Sequence, residues 1–461
     1  MTKTSLKLPV WIFLVALAPR LLLFAGAGSW KPDFPARTIQ ASDGHEYDAL
    51  AKTLLSSGRF APSPDGPPEA LRTPGYPVFL ALFYGATGAN PWLAILVQIG
   101  LDAATAMLLF AALRRRFPVP LAAAAGLLYG LEPMAILYSN WLLSDTLFLH
   151  LLVVGLYFLL RWSSDEAEAR RASYLALAAV AWGLAAWVRP PALFLAILLM
   201  PAAYLVGGVR HLNRTAKASV LALVTFGAIV APWVGRNWAV FGTPGFSVSG
   251  AYNLLALYVT PMELERRQLP YNEVKRALVV EADSLMRADG KDPAQLDSFA
   301  KAPYWKARAL HYITARPLDF ILTTGQGVAH SFLNLGTQSY STLLNIERRG
   351  EVFHTRSHRP MQDRVRHWVQ RYGPLSLFLA AVVVLYQAGV LAGGLVGLGT
   401  AWRRPPLGVW IVLLGLAGFF LAASAGAGVA RYRLPAVPFY LPFVAAGWLW
   451  LRARVTRPSG S

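Results

Sequence analysis

The sequence predicts an all-α, multi-pass membrane protein of about ten transmembrane helices, and three observations predict it. Of 461 residues, 55% are hydrophobic and only 15% are charged, a balance foreign to water-soluble domains. The apolar residues collect in blocks of roughly 20, the number that crosses a hydrocarbon core of about 30 Å at about 1.5 Å per residue. Arginines gather in the short connections between blocks. A soluble globular enzyme is excluded. The net charge of +19 is matched by anionic lipid rather than nucleic acid. With no cysteine, any chemistry falls to carboxylates, His, Arg, Lys and hydroxyls.

The first block, 9–27, contains Arg20, a charge foreign to a signal-peptide core, so it is read as an uncleaved span. Nine more blocks follow at 91–113, 120–138, 143–161, 172–188, 191–208, 217–235, 374–400, 407–425 and 433–452. This count puts Arg114-Arg115-Arg116, Arg161 with Arg170 and Arg171, Arg210 with Arg214 and Lys217, Arg403-Arg404 and both termini on the cytoplasmic side. The opposite, extracytoplasmic side receives the two long polar segments, 28–90 and 237–373. Residues 319–335 are moderately apolar but carry Thr323, Thr324, Gln326, His330 and Asn334, which suits an interfacial or re-entrant helix. An eleventh crossing there turns the basic tail outward, against the positive-inside bias. Three parts follow: a seven-helix module over 1–236 including the loop 28–90, an extracytoplasmic segment over 237–373, and a three-helix module over 374–461.

In the first long segment, Tyr47, Leu50, Ala51, Leu54 and Leu55 keep a helical rhythm that Gly58 ends, giving a short surface helix. Pro62, Pro64, Pro67 and Pro68 extend the chain until Arg72-Thr73-Pro74-Gly75-Tyr76-Pro77 returns it to the bilayer. Two roles are open to Asp43. With Glu46 three residues on, it can cap the helix; alternatively its carboxylate, held beside the bilayer, can accept a proton from a substrate hydroxyl. An oxygen committed to backbone N–H groups is a weaker base, so the second role requires Ser42 as the cap.

Asp43-Gly44-His45-Glu46-Tyr47, Gly58-Arg59-Phe60, Arg72-Thr73-Pro74-Gly75-Tyr76-Pro77, Ser144-Asp145-Thr146-Leu147-Phe148, Val188-Arg189-Pro190, Arg236-Asn237 and Ala430-Arg431-Tyr432-Arg433-Leu434-Pro435 occur in this order along the chain. Together they resemble the GT-C superfamily of polyprenyl-phosphate-sugar glycosyltransferases, and within it the bacterial relatives of protein O-mannosyltransferases and aminoarabinose transferases. Residues 250–370 carry no part of the resemblance. It implies a GT-C-like fold and inverting transfer of a hexosyl or pentosyl group from a polyprenyl-phosphate donor to an extracytoplasmic glycan, glycolipid or protein acceptor. It implies Asp43 as general base, Asp145 as a second acidic residue, and substrate contacts at His45, Glu46, Tyr47 and Tyr76. Phosphate leaves without protonation, so one base plus cations suffices and no second acid is needed.

Other charged residues have structural readings of comparable weight. Asp145 can cap the fourth span with Ser144, or orient an acceptor or a metal. Glu132 lies deep in the third span, where a charge needs a partner; an ion pair is favoured over substrate contact. Gln98 and Asp102 share a face of the second span, and Asp102 is the expected partner of Arg20. Arg189, Arg236, Arg431, Arg433 and Arg72 are the candidates for donor phosphate, because a guanidinium donates two parallel hydrogen bonds and stays charged. Snorkelling at span ends is the competing role. The basic run Arg348 to Arg371 fits either an anionic glycan or an amphipathic surface helix over 361–371.

No zinc-like spacing, nucleotide loop, dinucleotide fingerprint or serine elbow occurs. No cofactor is required, although Asp43 with Asp145 has the chemistry to bind a divalent cation. The expected setting is a bacterial inner membrane, with the site on its extracytoplasmic face. Two other classes fit the composition: a lipid transporter or flippase, suggested by Asp102, Glu132 and His150, and a non-catalytic envelope assembly protein that binds lipid-linked glycan. The first predicts an inverted repeat and broken midplane helices, neither of which the sequence displays.

Overall fold

A computed structural model describes residues 3–39, 43–164, 168–207, 212–346, 361–424, 426 and 428–456. Among them the chain is helical, with no strand. In order, the helices are α1 Lys3–Ala27, α2 Phe34–Ile39, α3 Gly44–Ser57, α4 Gly75–Thr87, α5 Trp92–Leu113, α6 Val119–Gly130 and α7 Pro133–Tyr138. Then come α8 Asp145–Ser164, α9 Glu168–Val188, α10 Leu195–Gly207, α11 Leu212–Phe241, α12 Ser249–Asn253, α13 Thr260–Arg267 and α14 Tyr271–Ala288. The last are α15 Ser298–Ala315, α16 Pro317–Leu333, α17 Thr337–Leu343, α18 Met361–Ala401, α19 Leu407–Ser424 and α20 Val437–Val455.

Among the described residues, eight helical segments are long and apolar enough to cross a membrane, and α6 and 172–188 of α9 are shorter apolar helices. The protein is a multi-pass membrane protein. The expected third span is not one helix but two. Glu132 turns extended at the break and accepts from the Ala135 N–H at 2.5 Å, while Pro133, which has no N–H to leave unbonded, starts α7. The seventh span also runs further than expected, to Phe241, so Arg236 and Asn237 lie inside α11 rather than after it. The segment 319–335, expected as an interfacial or re-entrant helix, lies in α16 as far as Leu333, and α16 is not among the described helices long and apolar enough to cross.

A main apolar core joins the membrane helices. Close approach requires small residues: a Cβ at Gly155 of α8 would lie within 2.1 Å of the Trp182 indole of α9. The expected Arg20–Asp102 pair is present, fully buried at 2.7 Å, with Tyr129 Oη donating to the second Asp102 oxygen at 2.6 Å.

The long segments are built. Gly58 caps α3 in the left-handed region, its N–H on the Leu54 carbonyl. The buried face of α3 differs from the expected stripe: Leu55 is half exposed, while Asp48 is buried between Lys52 and the Tyr84 hydroxyl. Helices α12 to α15 enclose a second core around Leu255, Val259, Val274, Leu278, Met286 and Trp305. Glu281 of α14 and Glu263 of α13 bind Arg267, Arg308 and Arg316, linking α13, α14, α15 and the start of α16. The run Arg348 to Arg371 falls on residues 347–360, which lie outside those described, and on the start of α18.

Candidate functional site

Three carboxylates and three guanidinium groups meet where α3, α8, α9 and the 3-10 turn Ala430–Ala436 converge. Asp43 precedes α3 in a helical conformation and makes no capping bond. Its oxygens are used otherwise: Arg72 Nη2 donates to Oδ1 at 3.0 Å and Arg431 Nη2 to Oδ2 at 2.6 Å. The capping role is thereby removed; Ser42, its alternative cap, lies outside the described residues. Burial alone raises the Asp43 pKa, but the positive charges of Arg431 and Arg72 overcome that and hold it well below the usual carboxylate range.

Arg72 also donates to Glu46 at 2.5 Å and lies over the Tyr47 ring. Its place is fixed by neighbours in sequence. Thr73 Oγ1 donates to the Val188 carbonyl at 3.1 Å, and a Cβ on Gly75 would stand 2.7 Å from the Trp187 carbonyl carbon and oxygen, so only glycine lets the start of α4 approach α9 so closely. Asp145 begins α8, buried, and binds Arg189. Its other oxygen faces Arg431 Nε at 3.7 Å; neither atom has a hydrogen-bond partner among the described residues.

A cavity of about 270 Å³ opens on this cluster, lined by Asp43, Glu46, Tyr47, Arg72, Arg189 and Arg431 on one side. Tyr252, Asn253, Tyr258 and Lys275, from the segment 237–373, line it too, with Tyr432. These residues have no local sequence signal; Lys275 stands one position off the buried stripe Val274, Leu278, Ala282, Met286 and reads as solvated surface until the fold brings it inward.

The remaining sequence candidates lie apart from the cavity lining. Arg433 and Glu132 form a fully buried pair at 2.8 Å, which accounts for the deep carboxylate and consumes the arginine. Arg236 donates to the Glu69 and Phe60 carbonyls and lies over the Trp233 ring. Tyr76 is buried beneath Tyr47 and donates to Gln98 at 3.0 Å. His45 is exposed, 3.9 Å from Glu46. Among the described residues no group of three or more His, Asp or Glu converges on a metal position. The Arg431 guanidinium, bonded to Asp43 and 3.7 Å from Asp145, occupies the place between these two carboxylates.

The pairing of Asp43 with Arg431 also bears on topology. Two residues that touch at a membrane surface require an even number of crossings between them. The segments α5, α6 with α7, α8, α9, α10, α11, α18 and α19 give such a number, and a crossing by α16 breaks it.

A family model described as dolichyl-phosphate-mannose-protein mannosyltransferase matches residues 71–235. No curated protein matches the sequence. Among solved structures, the oligosaccharyltransferase AglB of Archaeoglobus fulgidus, in complex with an inhibitory peptide and a dolichol-phosphate, aligns at a TM-score of 0.51 and 14% identity, covering 100% of this chain and 53% of that one. The apo form of the Archaeoglobus fulgidus oligosaccharyltransferase aligns at 0.52 and 14%, covering 98% and 51%. The chain therefore spans about half the length of these relatives. ArnT from Cupriavidus metallidurans bound to undecaprenyl phosphate aligns at 0.39 and 14%, covering 95% and 76%. The fold is GT-C-like, as the resemblance implied.

Proposed function

We propose that the chain is an integral membrane glycosyltransferase that moves a hexosyl or pentosyl group, with inversion, from a polyprenyl-phosphate donor to a hydroxyl acceptor. One observation carries the reading: a carboxylate, Asp43, borders a cavity in which Arg72, Arg189 and Arg431 also stand. Base and phosphate-binding groups are what the reaction needs. Asp43 removes the acceptor hydroxyl proton as that oxygen attacks the anomeric carbon, and polyprenyl phosphate departs from the opposite face. Glu46 and Tyr47 stand beside Asp43 to orient the sugars.

A carboxylate held by two arginines is a weak base, so activation is coupled to donor binding. The phosphate draws Arg72 and Arg431 from Asp43, and Arg431 Nε is already 3.7 Å from an Asp145 oxygen without a hydrogen-bond partner. Asp145 acts as the second holder of the arginine set. The same bonds need no divalent ion.

The lining contributed by 237–373 recognises the acceptor, an envelope glycan, glycolipid or protein, and 1–236 with 374–461 forms the catalytic membrane body. The reading includes a bacterial inner membrane with this cavity on the extracytoplasmic face. A lipid transporter predicts a broken span, and the third span does break at Glu132; but Glu132 and Arg433 close that break on each other, fully buried. His150 is likewise engaged, with Thr105 at 3.1 Å.

The test is turnover of radiolabelled polyprenyl-phosphate sugars by purified protein in native lipid extract, comparing wild type with Asp43→Asn. Loss of at least about 100-fold, within the range for a positioned base, with donor binding retained, supports the assignment. Equal turnover in both removes Asp43 from the chemistry. Donor binding without consumption under every acceptor tried favours the assembly-protein reading.

A further inference from the structure

Every arginine of the cavity is already paired. Arg72 binds Asp43 and Glu46, Arg189 binds Asp145, and Arg431 binds Asp43 and faces Asp145. Three carboxylates thus balance three guanidinium groups, so the set as it stands offers a phosphate no net positive charge. Lys275 differs. It lines the same cavity from α14, and among the described residues no carboxylate lies within ion-pair distance of it. Its ammonium rests 5.5 Å from the centre of the Tyr252 ring, and that ring is itself fixed edge-on against Trp305 of the second core.

The position is held. Val274, the preceding residue, is buried with Leu278, Ala282 and Met286, so the rotation of α14 that presents Lys275 to the cavity is set by that core. A lysine on a cation–π contact retains all its charge and gives up only a weak partner when an anion arrives.

Resting on the glycosyltransferase reading, we propose that Lys275 is the cation that takes up the negative charge released on the donor phosphate. In the donor the phosphate is a diester with one charge. When the acceptor oxygen bonds to the anomeric carbon, the bond from that carbon to the phosphate oxygen breaks with its electron pair, and the leaving phosphate becomes a monoester with one further charge. The acceptor proton passes to Asp43. Once Asp43 holds that proton the set has three guanidinium groups against two carboxylates, one positive charge for a phosphate that now carries two, and Lys275 supplies the second. A cation near the charge that develops stabilises the transition state more than the ground state.

The consequence is a preference for monoester over diester. The experiment measures binding of polyprenyl monophosphate, and of a polyprenyl-phosphate sugar, to full-length wild type, Lys275→Gln and Lys275→Arg in nanodiscs, alongside donor kcat and KM. Thermal unfolding of each variant checks the fold. The expected result is at least tenfold weaker monophosphate binding by Lys275→Gln, at most threefold weaker binding of the sugar diester, a larger fall in kcat than rise in donor KM, and recovery in Lys275→Arg. Equal monophosphate affinity in wild type and Lys275→Gln overturns the assignment and leaves the glycosyltransferase reading intact. A loss confined to acceptor KM also overturns it, and makes Lys275 an acceptor contact. Absence of any polyprenyl phosphate binding by wild type overturns both readings.

Discussion

Arg431 Nη2 lies 2.6 Å from Asp43 Oδ2, joining the first long loop to the connection before the last helix across 388 residues of chain. The same guanidinium reaches toward Asp145 at the start of α8. One arginine therefore spans two of the three carboxylates of the site.

A pH signature follows. With Arg431 and Arg72 bonded to it, Asp43 in the free protein is ionised well below the ordinary carboxylate range. If the donor phosphate takes those arginines, the Asp43 pKa rises in the complex. The acid limb of kcat, which reports the complex, should then lie at higher pH than that of kcat/KM, which reports the free enzyme. Profiles measured between pH 4 and 8 that superimpose show that the pairs persist during turnover. The depressed pKa also means that these bonds stabilise the fold above the unfolded carboxylate pKa, and that this contribution is lost as pH falls through the folded value.

Arg431 and Arg433 are two residues apart and should fail differently. Arg433→Met leaves Glu132 buried and unpaired, a loss of about 3–5 kcal/mol, visible as a large fall in thermal stability in detergent. Arg431→Met opens onto the cavity and should cost turnover at least about tenfold while lowering Tm by only a few degrees. Similar unfolding temperatures for the two variants contradict this division.

The buried Arg20–Asp102 pair supports a third expectation. Either Arg20→Met or Asp102→Leu alone strands a charge, but the double variant strands neither. Thermal unfolding should place the double variant above both singles. Additive losses instead point to the other bonds of these residues, to Tyr129, Ala16 and Gly130, as the dominant contributions.

Crossing number is open to single-cysteine labelling, since the chain has no native cysteine. Ser341 is buried and unsuited to it; Lys52 on α3 and Ser284 on α14 are exposed. Cysteine at 52 and 284 should label from one side of the membrane, and at exposed Arg403 from the other. Labelling of 284 together with 403 defeats the even count.

The sequence by itself determined the membrane class, because spans are written as local runs of apolar residues long enough for the bilayer. It also determined the Gly58 cap and the Arg20–Asp102 pair, the latter because a lone charge in a span demands an opposite one. It carried Asp43, Asp145, Arg72, Arg189 and Arg431 as candidates, but as a set of acids and bases without partners. Only the tertiary structure decided that Arg431 enters the cavity while Arg433, on the same 3-10 turn, is buried on Glu132. Only it broke the third span at Glu132 and turned Lys275 toward the cavity. Those choices depend on contacts between residues hundreds of positions apart, and on which direction a side chain leaves a helix fixed by a distant core. Neither quantity is contained in the composition or periodicity of any one segment.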